Sequence, residues 1–234
     1  MQPISVHYDF PTGGKLSAPI TLAVISDLHN EPFDPLLPML AGADALLVPG
    51  DISDRYRQRY DVGVAFLTEA AKRLPTFFSL GNHEACLRGY KAFRRALNRT
   101  GAEILVNRHV RFGQLCIGGW YDPSVVREPE RLSALEREQG FKILLCHKPD
   151  QYVRRMRGRN LDLVVAGHAH GGQIRIHGQG LYAPGQGLFP RYTRGLIDGR
   201  MIVSVGVGNP ARMPRWGNPP EVVFIHLLEG SAMP

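Results

Sequence analysis

The chain has 234 residues, 44% hydrophobic and 21% charged, which suits a single globular domain over residues 1–234 with a full core, and argues against disorder. No stretch reaches the roughly 18–20 consecutive apolar residues of a membrane span, and residues 1–10 carry no secretory signal, so the expected compartment is the cytoplasm, with peripheral membrane attachment left open. The net charge of +7 comes from 23 arginines and five lysines, a balance that suits an anionic partner without naming one.

In chain order, residues 21–25 form an apolar run that ends in Ser26, Asp27, Leu28 and His29. Residues 45–48 run into Pro49, Gly50 and Asp51, and residues 76–80 into Gly81, Asn82, His83 and Glu84. Residues 62–74 and 86–97 carry apolar side chains at helical spacing. This alternation predicts strands buried on both faces and joined by crossover helices, hence an α/β fold with substantial parallel pairing. Residues 102–106, 110–112 and 115–117 read as short strands. Residues 142–146 then end at His147, and residues 161–166 end at Gly167, His168, Ala169 and His170. With residues 173–176, 200–205 and 221–228, these later runs predict a second, more antiparallel sheet packed against the first. Cys86, Cys116 and Cys146 are odd in number and far apart, which excludes a disulfide scaffold and a thiolate zinc site; they read as small buried hydrophobes.

The informative pattern is where the polar residues fall. Five apolar runs terminate in Asp27/His29, Asp51, Asn82/His83, His147 and His168/His170, and strand carboxyl ends in an α/β sheet share the edge where ligands bind. Imidazole, carboxylate and amide oxygen together suit borderline transition metals and match calcium poorly. About seven potential ligands among these are too many for one ion and about right for two, which an aspartate could hold roughly 3.5–4 Å apart.

In order and spacing these five motifs resemble the calcineurin-like metallophosphoesterase superfamily. The runs 143–150 and 167–174 are similar to its bacterial YkuE/YaeI-like branch. The resemblance implies a four-layer α/β/β/α sandwich of two mixed sheets, the metallo-dependent phosphatase fold. It implies two divalent transition-metal ions, from among Mn, Fe, Zn, Ni and Co. Asp27, His29 and His170 would hold one ion and Asn82, His147 and His168 the other, with Asp51 bridging. Metal-bound hydroxide would then hydrolyse a phosphodiester or pyrophosphate bond, with His83 as the catalytic side chain protonating the leaving oxygen or stabilising phosphoryl charge. Asp54 and Glu84 would orient ligands or His83.

Arg55, Arg57 and Arg59 after the bridging motif, and Arg88 after Glu84, could reach a second phosphate. Arg154, Arg155, Arg157 and Arg159 read as the basic outer face of a helix. The irregular run 208–220, with Arg212, Met213 and Trp216, either walls the substrate pocket or packs as a surface loop. The expected substrate is a small phosphoester or a lipid-linked phosphate. Contact with an anionic membrane stays open, and nucleic acid is not favoured, because the aromatic residues are not interleaved with the basic ones. Phosphomonoesterase or nuclease chemistry at the same site is the alternative, and a non-catalytic scaffold is disfavoured because no ligand is missing.

Overall fold

Leu22 and Val24 face one side of their strand and Ala23 and Ile25 the other, and all four are buried. A strand covered on both faces needs a layer above and a layer below, and that requirement shapes the whole chain. The computed structural model describes residues 1–121, 129–209 and 213–230.

In chain order the strands are β1 (Ile4–Pro11), β2 (Ile20–Val24), β3 (Ala45–Val48), β4 (Thr76–Phe78), β5 (Glu103–Ile104), β6 (Arg108–Phe112), β7 (Leu115–Trp120), β8 (Phe141–Cys146) and β9 (Leu163–Ala166). Two small hairpins follow, β10 (Arg175–Ile176) with β11 (Gln179–Gly180) and β12 (Tyr182–Ala183) with β13 (Gly187–Leu188). β14 (Gly195–Ile197), β15 (Met201–Val203) and β16 (Glu221–Leu228) complete the set. The helices are α1 (Leu36–Met39), α2 (Asp61–Ala71), α3 (Asn82–Ala85), α4 (Tyr90–Leu97), α5 (Pro129–Arg137) and α6 (Pro149–Arg155).

One six-stranded sheet has the order β1-β16-β2-β3-β4-β5, and the other β14-β15-β9-β8-β7-β6. In the first, only β16 against β2 is antiparallel. The second is parallel from β15 through β9 and β8 to β7 and antiparallel at both edges. Leu22, Val24 and Leu47 meet Ile143, Leu145 and Val165 between the sheets. Leu36, Phe66, Leu67 and Phe93 cover the outer face of the first sheet. Leu132, Leu135, Tyr152 and Met156 cover that of the second. The layers are therefore helix, sheet, sheet, helix, the expected sandwich.

Several details differ from expectation. Residues 221–228 and 103–104 belong to the first sheet, and 175–176 lie in a hairpin outside both sheets; the second sheet is parallel at its centre. A continuous apolar strand such as β16 fits either sheet, so its own residues do not name its neighbours. β1 was not anticipated; it is an edge strand in which only Phe10 is buried. The run 86–97 is helical only in α4, which begins after Gly89. α6 ends before Arg157 and Arg159, whose guanidinium groups pair with Asp198 at 2.6 Å and Glu136 at 2.9 Å. Cys116 and Cys146 are buried, but Cys86 is exposed where α3 ends. Among the described residues, no helix is long and apolar enough to cross a membrane.

Candidate metal centre

The strands β2, β3, β4, β8 and β9 all run into one crevice at their carboxyl ends. There the backbone turns abruptly: Asp27, His29, Asp51, His168 and His170 have φ of 57°, 52°, 57°, 68° and 46°. Such left-handed conformations are unfavourable for residues with a Cβ and persist only where the surroundings hold them. Loop-to-loop hydrogen bonds supply that hold. The Asp27 N–H donates to Gly50 O at 3.1 Å, the His29 N–H to Asp51 O at 3.0 Å, and the Gly167 N–H to His147 O at 3.0 Å. Glycine is required at 81 and 167, since a Cβ on Gly81 would strike the Asp51 carboxylate and one on Gly167 would strike Ser26 and Asp27.

Three overlapping groups of donors result, each with its ligand atoms within 4.8 Å of one another: Asp27, His29 and His170; His29, Asp51 and His83; and Asp51, His147 and His168. Asp27 Oδ1 lies 3.6 Å from His29 Nε2 and 3.5 Å from His170 Nε2, and the two imidazole nitrogens are 3.2 Å apart. The Asp27 carboxylate is fixed by Ser26 Oγ–H and by the His168 N–H at 3.0 Å. Asp51 Oδ1 accepts the His83 N–H at 2.7 Å, which leaves Oδ2 facing His147 Nε2 at 3.0 Å. His147 Nδ1 donates to the Pro49 carbonyl at 3.1 Å, so Nε2 is the atom it turns to the crevice. His83 Nδ1 accepts the Arg55 N–H at 3.2 Å, which leaves Nε2 to carry its proton.

Charge is concentrated and shielded from water here. Burial favours protonation of Asp27 and Asp51, yet the facing histidines hold both below the usual carboxylate range, His170 acting first on Asp27 and His147 on Asp51. Burial lowers His83 to about 4, His168 to about 3 and His170 to about 3. Burial would lower His147 too, but the Asp51 carboxylate overrides it and raises its pKa to about 9. Glu84 is pushed up by burial and by Asp51, although four donors converge on it.

The donor set fits divalent cations. Asn82 Oδ1 is buried without a hydrogen-bond partner, an arrangement that is costly unless a cation satisfies it, and His147 Nε2 faces only the Asp51 carboxylate at 3.0 Å. Clustered lone pairs of imidazole, carboxylate and amide oxygen are what a borderline transition metal takes. The crevice opens into a cleft of about 800 Å³, walled in part by His29, Asp51, Asn82, His83, Arg55 and Arg57. Beyond Arg55 and Asn82 lies a smaller cleft of about 310 Å³ that includes His147, Lys148 and Tyr121.

The crevice thus brings together Asp27, His29, Asp51, Asn82, His83, His147, His168 and His170. Asp54 also lines the large cleft and accepts the N–H groups of Tyr56 at 2.8 Å and Arg57 at 3.3 Å. Glu84 is fully buried behind Asp51. Arg59 pairs with Asp61 at 2.8 Å, and Arg88 is exposed with no place in the cleft lining. Met213 lines the cleft, Trp216 is exposed, and Arg212 lies outside the described residues. Arg215 was not anticipated: it is buried behind the crevice, with Nη2 3.3 Å from His170 Nδ1. Nothing in the irregular run 208–220 marks it out.

A family model described as calcineurin-like phosphoesterase matches residues 20–172, which contain all eight of these crevice residues. The chain is 27% identical over 223 residues to the uncharacterized protein YpbG of Bacillus subtilis, covering 89% of this chain and 81% of the relative. It is 31% identical over 195 residues to an uncharacterized metallophosphoesterase of Helicobacter pylori, covering 79% of this chain and 51% of the relative, so it spans about half that protein's length. It is 26% identical over 239 residues to the phosphodiesterase YaeI of Escherichia coli, covering 91% and 83%.

Proposed function

The chain belongs to the calcineurin-like phosphoesterase family and is a metal-dependent hydrolase of phosphoric esters; from that premise we propose that it cleaves a phosphodiester or pyrophosphate bond at a centre of two divalent ions. The observation that supports two ions is that two separate donor groups, Asp27/His29/His170 and Asp51/His147/His168, stand side by side, with Asp51 also within 4.8 Å of His29 and so placed to reach both. Asp27, His29 and His170 would hold one ion, Asn82, His147 and His168 the other, and Asp51 would contact both. The name of the Escherichia coli relative favours a diester. The core shared by the two sheets supports reading residues 1–234 as one domain.

When bound, the ions would supply Lewis acidity at the phosphoryl group and lower the pKa of a coordinated water. The side chains do the rest. Arg55 and Arg57 on the cleft wall balance the charge of the bound ester. Burial holds His83 neutral at physiological pH, so from the cleft lining its Nε2–H would donate a hydrogen bond that stabilises charge on the phosphoryl and leaving oxygens, while the proton the leaving oxygen takes up comes from the attacking water. The nearest hydroxyls are committed elsewhere, Ser26 Oγ–H to Asp27 and Ser53 Oγ–H to Glu84. With these two hydroxyls tied up and Cys86 set in the smaller cleft, water is the nucleophile and attacks phosphorus in one displacement. Oxygen from water joins phosphorus as the P–O bond to the leaving group breaks, with inversion of configuration.

The test pairs elemental analysis of the purified protein with hydrolysis of bis(p-nitrophenyl) phosphate in Mn²⁺. About two ions per chain and faster cleavage of the diester than of p-nitrophenyl phosphate are expected. One ion per chain would overturn the dinuclear reading. A monoester preference would overturn the substrate class alone.

A further inference from the structure

The large cleft is lined by side chains of two unlike kinds. His29, Asp51, His83 and the cations Arg55 and Arg57 line it, and so do Leu181, Tyr182, Pro184 and Met213, with Gln173 and Asn209 donating to the Met213 carbonyl. The apolar part of the lining does not end at the cleft mouth. Phe189 N–H donates to Leu181 O at 2.9 Å, which ties the tip of the β12–β13 hairpin to it, and there Leu188 and Phe189 stand 69% and 66% exposed. On the other flank, Leu181 N–H donates to Ile174 O at 2.9 Å and Arg175 N–H to Trp216 O at 2.9 Å. Ile176, half exposed, and Trp216, more so, lie on the segments these bonds join, outside the cleft lining.

Scattered exposed apolar side chains are ordinary, but a band of them that continues from the lining of a site marks a surface built to be covered. A substrate polar throughout would leave those apolar side chains wetted and unused. We propose that the substrate is an amphiphilic phosphoester: its phosphoryl group meets the His/Asp cluster, and an apolar chain lies along Leu181, Tyr182, Pro184 and Met213 and leaves over the hairpin. This rests on the phosphoesterase reading and adds which kind of ester is hydrolysed. The reaction is unchanged, one water consumed and one P–O bond broken, with the proton going to the leaving oxygen. The cleft volume of about 800 Å³ is large enough for a phosphoryl group together with several methylenes.

The experiment measures kcat/KM for p-nitrophenyl alkyl phosphates from methyl to octyl in Mn²⁺, each below its micelle concentration. One leaving group throughout isolates the alkyl chain. A seated methylene should raise kcat/KM about fourfold, so the octyl ester should exceed the methyl ester by roughly 100-fold or more before the rise levels off. Leu181→Ser and Met213→Ser should each shrink that octyl-to-methyl ratio severalfold, and inhibition constants of alkyl phosphonates should fall with chain length in the same way. Met213 is 47% exposed, so its variant carries the test even if Leu181→Ser fails to fold. A flat or falling chain-length profile overturns the amphiphile while leaving the phosphoesterase reading intact. A gradient untouched by Met213→Ser removes the chain from this lining. No hydrolysis of any ester removes both readings.

Discussion

Glu84 holds Asp51 by the backbone: its Oε2 accepts the Asp51 N–H at 2.9 Å and the Gly81 N–H at 2.7 Å. Its other oxygen accepts the Ser53 N–H at 2.9 Å and the Ser53 Oγ–H at 2.7 Å. One buried carboxylate thus pins the turn after β3 to the turn after β4. In Glu84→Gln, an amide nitrogen faces two donors and leaves them unsatisfied. The expected loss is about 2–4 kcal/mol, read from urea denaturation, together with reduced metal content as the Asp51 turn loosens. A variant as stable as the parent would refute the strut.

Asp51→Asn keeps the shape but takes away the negative charge between His147 and His83, which lie 3.0 Å and 3.9 Å from Oδ2. Metal content should fall towards zero rather than from two ions to one. Elemental analysis after dialysis decides it; retention of one full equivalent would mean that Asp51 serves a single ion.

His83→Ala should cut turnover of bis(p-nitrophenyl) phosphate by roughly 10²–10³-fold, the range for loss of a hydrogen-bond donor aimed at developing charge, while metal content stays near that of the parent. His147→Ala should lose metal. His29, Asp51 and His83 form one of the three donor groups, so the comparison is a sharp one. Equal metal loss in the two variants would make His83 a ligand.

The metal-free protein should be most stable near pH 6–7. His83, His168 and His170 are held neutral by burial, with pKa values of about 4, 3 and 3. Below an unfolded histidine pKa of about 6.5 the unfolded chain binds protons that these three refuse, so their contribution falls as pH drops. His147 acts in the opposite sense. Raised to about 9 by Asp51, it contributes fully below about 6.5 and loses that contribution as pH rises through 9. Thermal midpoints in EDTA from pH 4 to 10 check both limbs, and a midpoint that keeps climbing through pH 9 would contradict the His147–Asp51 interaction.

The crevice was legible in the chain because each of its loops couples a buried apolar run to donors within a few residues, as in residues 45–51 and 163–170. Local order of this kind survives without knowledge of the partners. What depends on distant partners did not show. β16 reads as a continuous apolar strand, and its place between β1 and β2 is set by those strands. Arg215 looks like any surface arginine until the loop folds it under His170, where it also donates to the carbonyls of Val205 at 2.8 Å and Gly208 at 2.6 Å. The apolar part of the cleft lining comes from Leu181, Tyr182 and Pro184 around a two-residue strand and from Met213 in an irregular run, segments too short for any periodicity to announce them.

The five left-handed donors Asp27, His29, Asp51, His168 and His170 put a tax on the folded state. At about 1 kcal/mol each or more, the total approaches the whole net stability of an ordinary domain. Chemistry and robustness therefore pull against each other at these positions. Glycine is relaxed at such angles, so His168→Gly should yield a chain that binds less metal yet, stripped of metal, melts at a higher temperature than its parent. Attempts to harden this protein against heat would gain most from the residues it can least spare, and directed evolution for thermal tolerance alone should drift towards an inert scaffold.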